Sequence, residues 1–248
     1  MTMISDPTVY AITAGVYAVA LAVLGGWLWQ NPDQRHPYCL PVLFVVGFGA
    51  VTTGLQALGV GSIAVAGGSI NVASVSNDMV GYPALYVVSA LLAGASRRSI
   101  ALVTAIPFLQ VLSFNVASVT GGTLALVAAL LVVVGHAVLL SLYRGRIWRT
   151  AADCADGRRL LHWKSRNLLL FMTGMLIVYA LLSLFGVFGT FVSTTVSAYM
   201  GVLIRVGFAG FLFVNLDAIV GDGADGDAAS DPLRELGSTV PGVGSGAD

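Results

Sequence analysis

Two charged side chains stand inside apolar runs of this chain, and any chemistry at membrane depth would have to come from them. Arg205 lies in the middle of Tyr199-Met-Gly-Val-Leu-Ile-Arg205-Val-Gly-Phe-Ala-Gly-Phe-Leu-Phe-Val-Asn-Leu-Asp217, and Asp78 lies early in the run that opens at Val72. A guanidinium at the centre of a membrane-crossing helix costs roughly 2.5–3.5 kcal/mol on insertion scales, so it requires a partner or a polar cavity. The two are opposite in sign, and an interior ion pair is the simplest arrangement that neutralises both. The functional form of that arrangement is a polar cavity that takes an anion or another ligand. His136 has no Asp, Glu or Cys near it at ligand spacing, which fits a hydrogen-bonded core histidine and no metal site. No nucleotide-binding loop, zinc spacing or nucleophile elbow occurs, so the chain reads neither as an enzyme nor as a nucleic-acid binder.

The elements that must position these residues follow from composition. The chain has 248 residues, 57% hydrophobic and 10% charged, with a mean hydropathy of +0.88. That leaves too little polar surface for a soluble domain, in which about a quarter of residues are charged. Seven apolar stretches, at 8–29, 38–60, 72–94, 98–117, 123–144, 166–189 and 194–219, are each long enough to cross the bilayer as a helix. Without alternation these runs mean an all-α, seven-helix bundle, not a barrel. Turns are expected at Asn31-Pro-Asp-Gln-Arg-His-Pro37, Gly67-Gly-Ser, Ser96-Arg-Arg and Thr120-Gly-Gly, with a longer polar loop from 145 to 165.

Ten of the twelve positive charges flank alternate connections, at Arg35, Arg97, Arg98, Arg144, Arg146, Arg149, Arg158, Arg159, Lys164 and Arg166. By the positive-inside rule that side is cytoplasmic, so the N-terminus is outside and the C-terminus inside. Met1 to Thr8 lack the basic region and cleavage site of a signal peptide. Cys39 and Cys154 both fall on the cytoplasmic side, where a structural disulfide is not expected. The seven-helix domain is expected over 1–221. Residues 222–248, with Asp222, Asp225, Asp227, Asp231, Glu235 and Asp248 against Arg234, read as a disordered acidic cytoplasmic tail.

The local text resembles the microbial rhodopsins, in particular their haloarchaeal members. Asn31-Pro-Asp-Gln-Arg-His-Pro-Tyr38 is similar to their first cytoplasmic loop, and Gly47-Phe-Gly-Ala-Val-Thr-Thr-Gly-Leu-Gln-Ala-Leu-Gly-Val-Gly61 to their second helix and its glycine exit. Lys164-Ser-Arg-Asn167 resembles the opening of their sixth helix, Arg205-Val-Gly-Phe-Ala209 their Lys-Val-Gly-Phe-Gly, and Ala218-Ile-Val-Gly221 their closing Ala-Ile-Phe-Gly. The resemblance runs through residues 7–221.

It implies a retinal pocket, and the departures fall on that pocket. The retinal Schiff-base lysine of the family aligns with Arg205, which cannot form the linkage, and Lys164 is the only lysine in the chain. The aspartate one turn earlier becomes Gly201. Aligned through Pro83, the third-helix positions fall on Asn77, Asp78, Gly81 and Tyr82. The counterion place is then Asn77, unless a one-residue shift lets Asp78 fill it. The arginine a turn earlier becomes Ser74, and the proton-donor carboxylate becomes Val88. The sixth-helix wall becomes Thr173, Leu176, Ile177 and Ala180.

Asn77, Gly81, Tyr82, Thr173 and Gly201 are therefore candidates, with Arg205 and Asp78, for a remodelled pocket. Gly81 and Gly201 equally suit close helix packing, the commoner role of small residues in such helices. Counted from the outer end at 1.5 Å per residue, Asp78 lies roughly 9 Å deep and Arg205 roughly 16 Å, within reach of an arginine side chain.

Three readings follow. The first is a multi-pass protein of the cell membrane with no covalent retinal, acting as a sensor, regulator or scaffold through ligand or protein contacts. The second is a light-responsive photoreceptor or ion pump holding retinal or a carotenoid non-covalently. The third is an anion-binding or transport protein centred on Arg205. Lipid is the surrounding partner, and the resemblance implies a homo-oligomer, a trimer in relatives, or pairing with a membrane transducer.

Overall fold

The computed structural model describes residues 6–31, 35–65 and 68–218. Its elements are α1 (Asp6–Trp29), α2 (His36–Ala57), β1 (Ser62–Val65), β2 (Gly68–Asn71), α3 (Val72–Leu92), α4 (Arg97–Val119), α5 (Gly122–Arg144), α6 (Arg146–Ala151), α7 (Asp156–Leu184) and α8 (Thr190–Val214). Among the described residues, six helices are long and apolar enough to cross a membrane: α1, α2, α4, α5 continued into α6, α7 and α8. The remaining long helix, α3, lacks so long an apolar run because it carries Ser74, Ser76, Asn77, Asp78 and Tyr82. Large apolar side chains such as Leu126, Leu130, Phe171 and Val214 lie on the outside. Helices with apolar outer faces and internally satisfied backbones are what a bilayer requires of a bundle, and the chain is a multi-pass membrane protein.

The long helices pack in a ring in chain order, closed by α1 against α8, and α3 also touches α7 and α8. α3 is thus flanked by α2, α4, α7 and α8, and its Asn77, Asp78 and Tyr82 line the cavity inside the bundle. The helix starts and ends bearing Arg97, Arg98, Arg144, Arg146 and Arg158 gather at one end of the bundle, the arginine end, and the β1–β2 hairpin marks the other.

Two connections differ from expectation. The stretch 145–165 is mostly helical: α6 occupies its start, and α7 begins at Asp156, ten residues earlier than its apolar run. The polar residues there bond inward. Arg158 donates from Nε to Leu92 O at 2.9 Å and from Nη2 to Leu91 O at 3.0 Å, satisfying carbonyls at the end of α3. His162 Nδ1 contacts Ser89 O at 2.8 Å, and the hydroxyls of Ser165 and Ser89 lie 3.1 Å apart. The chain leaves α3 through Gly94, whose φ of 63° suits only glycine without strain.

The connection between α2 and α3, expected as a turn, contains an antiparallel hairpin pairing Ser62 with Asn71 and Ile63 with Ile70. Asn71 then caps α3 by accepting from Ser74 N at 2.9 Å. The last span begins and ends earlier than its apolar run, at Thr190 and Val214. The acidic segment 222–248 and the end of the Ala218-Ile-Val-Gly221 motif lie outside the described residues.

Candidate functional site

Arg205 is among the largest fully buried side chains, 1% exposed. It comes from the middle of α8 and reaches α3. Nη2 donates to Asp78 Oδ1 at 2.6 Å and to the backbone oxygen of Asn77 at 3.4 Å. Nη1 donates to Gly201 O, one turn earlier on α8, at 3.3 Å. The guanidinium carbon lies 4.8 Å from the centre of the Tyr82 ring, within cation–π range. Nε is buried and has no hydrogen-bond partner.

Gly81 and Gly201 make this placement feasible. A β-carbon on Gly81 would stand 2.8 Å from Arg205 Nε and 3.2 Å from Nη2, and one on Gly201 would stand 3.1 Å from Nη1. Both glycines face the guanidinium. The hydroxyl of Tyr17, from α1, lies beside Gly201 and the same guanidinium. It is Asp78, one residue past the aligned counterion position, that supplies the carboxylate. Asn77 contributes its backbone oxygen, while its side-chain Oδ1 is buried without a partner.

The pair lines the wall of a cavity of about 180 Å³. Both side chains line the cavity, Asp78 with 34% of its side chain uncovered and Arg205 with 2%. The wall near the hairpin end includes Tyr10, Ser74 and Ser197; the wall at mid-depth includes Tyr86 and Thr173. All four aligned sixth-helix positions, Thr173, Leu176, Ile177 and Ala180, line it too. Thr173 shares a hydrogen bond of 2.6 Å with Tyr86, and Tyr143 donates to the backbone oxygen of Tyr86. Beyond that layer, toward the arginine end, buried Val88, Leu92, Leu169, Phe208 and Leu212 fill the centre. The cavity therefore occupies only the hairpin half of the bundle.

Sequence reasoning missed Tyr17, Tyr86, Gln56 and Gln110, all on the cavity wall. The two glutamines carried a signal: an amide inside an apolar helix needs an internal partner. Lys164 is exposed on α7 and does not line the cavity. His136, in α5, lies against Gly174 of α7, and its Nδ1 has no partner. Cys39 and Cys154 are free thiols. Among the described residues no three His, Cys, Asp or Glu side chains gather as a metal site.

No protein-family model and no curated protein matches the chain. Solved structures do. A cyanorhodopsin from Tolypothrix sp. is 18% identical, with 90% of this chain and 99% of that one covered, at a TM-score of 0.79. The fold is that of the microbial rhodopsins. A thermophilic rhodopsin from Rubrobacter xylanophilus is 18% identical over 89% of this chain and 100% of that one, with a TM-score of 0.77. A light-driven proton pump from Leptosphaeria maculans is 16% identical over 86% and 96% of the two chains, also at 0.77. At these identities the likeness is one of fold. What the cavity binds must be argued from its own residues.

Proposed function

We propose that this rhodopsin-fold protein is a sensor or regulator of the cell membrane that works without a covalent chromophore and binds a small polar ligand in its hairpin-half cavity. The observation that carries the reading is the buried Arg205–Asp78 pair, at 2.6 Å, on the wall of that cavity. Resemblance puts the retinal lysine at Arg205. A guanidinium stays protonated and offers no amine to form the imine. Lys164, the only other candidate, is exposed on α7 away from the cavity. A covalently held retinal does not fit these residues.

The arginine end is the cytoplasmic side on this reading, with the N-terminus and the cavity mouth outside. Ligand occupancy would pass to a second copy of the chain or to a membrane transducer. The test is expression with and without all-trans-retinal, followed by borohydride reduction, and thermal melts with small polar solutes. No retinyl adduct and at least one stabilising solute are expected. A retinyl adduct, or no stabilisation by any solute, would remove the proposal.

The likeness of fold to proton pumps favours a second reading, a light-responsive protein with retinal or a carotenoid held non-covalently. Against it stands the packed arginine half, where Val88 replaces the carboxylate that the resemblance implies for proton donation. A flash-induced pH change in vesicles would establish it. The anion-centred reading has less support. Both terminal nitrogens of Arg205 already donate, to Gly201 O and to Asp78, and the carboxylate of Asp78, the more exposed of the pair, stands on the same wall.

A further inference from the structure

The cavity wall carries no net charge. Of the described residues that line it, Arg205 and Asp78 alone are ionised, and they neutralise each other across 2.6 Å. A charged ligand would lose its hydration there without meeting a free counter-charge, whereas a neutral one gives up far less.

The polar atoms that remain open are mixed in kind. Gln56 donates its amide nitrogen to Thr52 O at 3.4 Å, and Gln110 donates its own to Val132 O at 2.8 Å, so each leaves an amide oxygen as an acceptor. The hydroxyls of Thr53 and Ser74 take no hydrogen bond among the described residues, and a hydroxyl both donates and accepts. Arg205 Nε and Asn77 Oδ1 are unpaired as well, but both are buried. An ammonium ion only donates and a carboxylate only accepts. A ligand hydroxyl does both, as water does, and a ligand that displaces ordered water gains only where it reproduces the water's hydrogen bonds.

Beside these atoms stand the half-buried rings of Tyr10, Tyr82 and Phe114. The negative face of an aromatic ring attracts C–H edges, so the wall offers apolar surface between its polar points. At about 180 Å³ the space also suits a six-membered ring, since a cavity of about 150 Å³ admits benzene.

Building on the small-ligand reading, we propose that the cavity takes an uncharged cyclic polyol of monosaccharide size. Its hydroxyls donate to the amide oxygens of Gln56 and Gln110 and exchange hydrogen bonds with Thr53 and Ser74, while its C–H faces lie on the aromatic rings.

The experiment is calorimetry on the full chain in lipid nanodiscs, with glucose and myo-inositol as the polyols. Melts alone would mislead, because sugars excluded from protein surfaces stabilise folded chains without binding. Glucuronate and protonated glucosamine add a charge of either sign to the same ring, and cyclohexanol keeps a ring with a single hydroxyl. At least one polyol is expected to saturate the site and to bind roughly tenfold tighter than all three comparison compounds, about one decade in Kd. Thr53→Val and Ser74→Ala remove hydroxyls that hold nothing in the protein. Each should leave the unliganded melting midpoint in place and weaken the polyol roughly threefold.

Three results overturn the polyol proposal: no saturation by either polyol, a comparison compound that matches the better one, or binding unchanged in both variants. The small-ligand reading stands after any of these if some polar solute still binds, and falls with the proposal if none does.

Discussion

Asp78→Asn and Arg205→Gln remove opposite halves of one ion pair, and the structure predicts unequal penalties. Arg205 is 1% exposed, so in Asp78→Asn the guanidinium stays charged and sealed from water. It would keep an amide oxygen near Nη2 and the longer contacts to Asn77 O and Gly201 O, at 3.4 and 3.3 Å. Orphaning one member of a buried pair costs about 3–5 kcal/mol, and the retained amide oxygen lowers the expected penalty to about 2–3 kcal/mol. In Arg205→Gln the orphan is Asp78, whose side chain is 34% uncovered on the cavity. Water there can solvate it, so the penalty should be about 1 kcal/mol.

The double variant leaves no unpaired charge and should lie within about 1 kcal/mol of the parent, giving a coupling of about 2 kcal/mol. For a chain of this size, each kcal/mol moves a melting midpoint by roughly 2–4 °C. The Asp78→Asn midpoint should therefore fall by roughly 5–10 °C, the Arg205→Gln midpoint by a few degrees, and the double variant should recover most of the loss. Melts in one detergent or nanodisc, at one ionic strength, are the assay. Penalties that add, or a larger loss in Arg205→Gln than in Asp78→Asn, would refute the geometry argued for the pair.

Gly81→Ala should destabilise by about 2–3 kcal/mol and Gly201→Ala by less. The added β-carbon at 81 stands 2.8 Å from Nε of an arginine pinned by Asp78, whereas at 201 the approach is 3.1 Å. The melting midpoints of the two variants give the order. Tyr86→Phe removes the 2.6 Å bond to Thr173, but Thr173 keeps Leu169 O at 2.6 Å, so the loss should stay near 1 kcal/mol. Arg158→Met strips two donors from the carbonyls of Leu91 and Leu92, with an expected loss of about 1–3 kcal/mol. Hydrogen exchange at the arginine end of α3 should rise in that variant while the cavity-side amides stay protected.

The spans were legible because a run of about twenty apolar residues has few structural uses other than crossing a bilayer. The stretch 145–165 was misread for the complementary reason. Its charged and polar residues read as a loop, but Arg158 turns inward to the last carbonyls of α3, and His162 and Ser165 bond Ser89. The hairpin was hidden because four-residue strands are too short to show alternation. At the site, Arg205 and Asp78 stood out as opposite charges in apolar text. The roles of Gly81 and Gly201 were not readable, since they depend on where the guanidinium ends up within a few tenths of an ångström. Tyr17 and Tyr86 read as bulk, as a tyrosine in an apolar helix does, but the Tyr86 hydroxyl bonds Thr173 and the Tyr17 hydroxyl lies beside Gly201.

The two halves of the bundle bear on what the ion pair can do. The hairpin half holds the cavity, and the arginine half is closed by Val88, Leu92, Leu169, Phe208 and Leu212. A solute entering the cavity meets Tyr86 and Thr173 at mid-depth and an apolar plug beyond them. Conduction would require that plug to part. On the proposed reading, occupancy must then reach the arginine end through the helices themselves. α3 is placed to carry it: Asp78 ties it to α8, Tyr86 ties it to α7, and its last carbonyls rest on Arg158 at the start of α7. Asp78, on the cavity wall, belongs to the same helix that Arg158 holds at the opposite end.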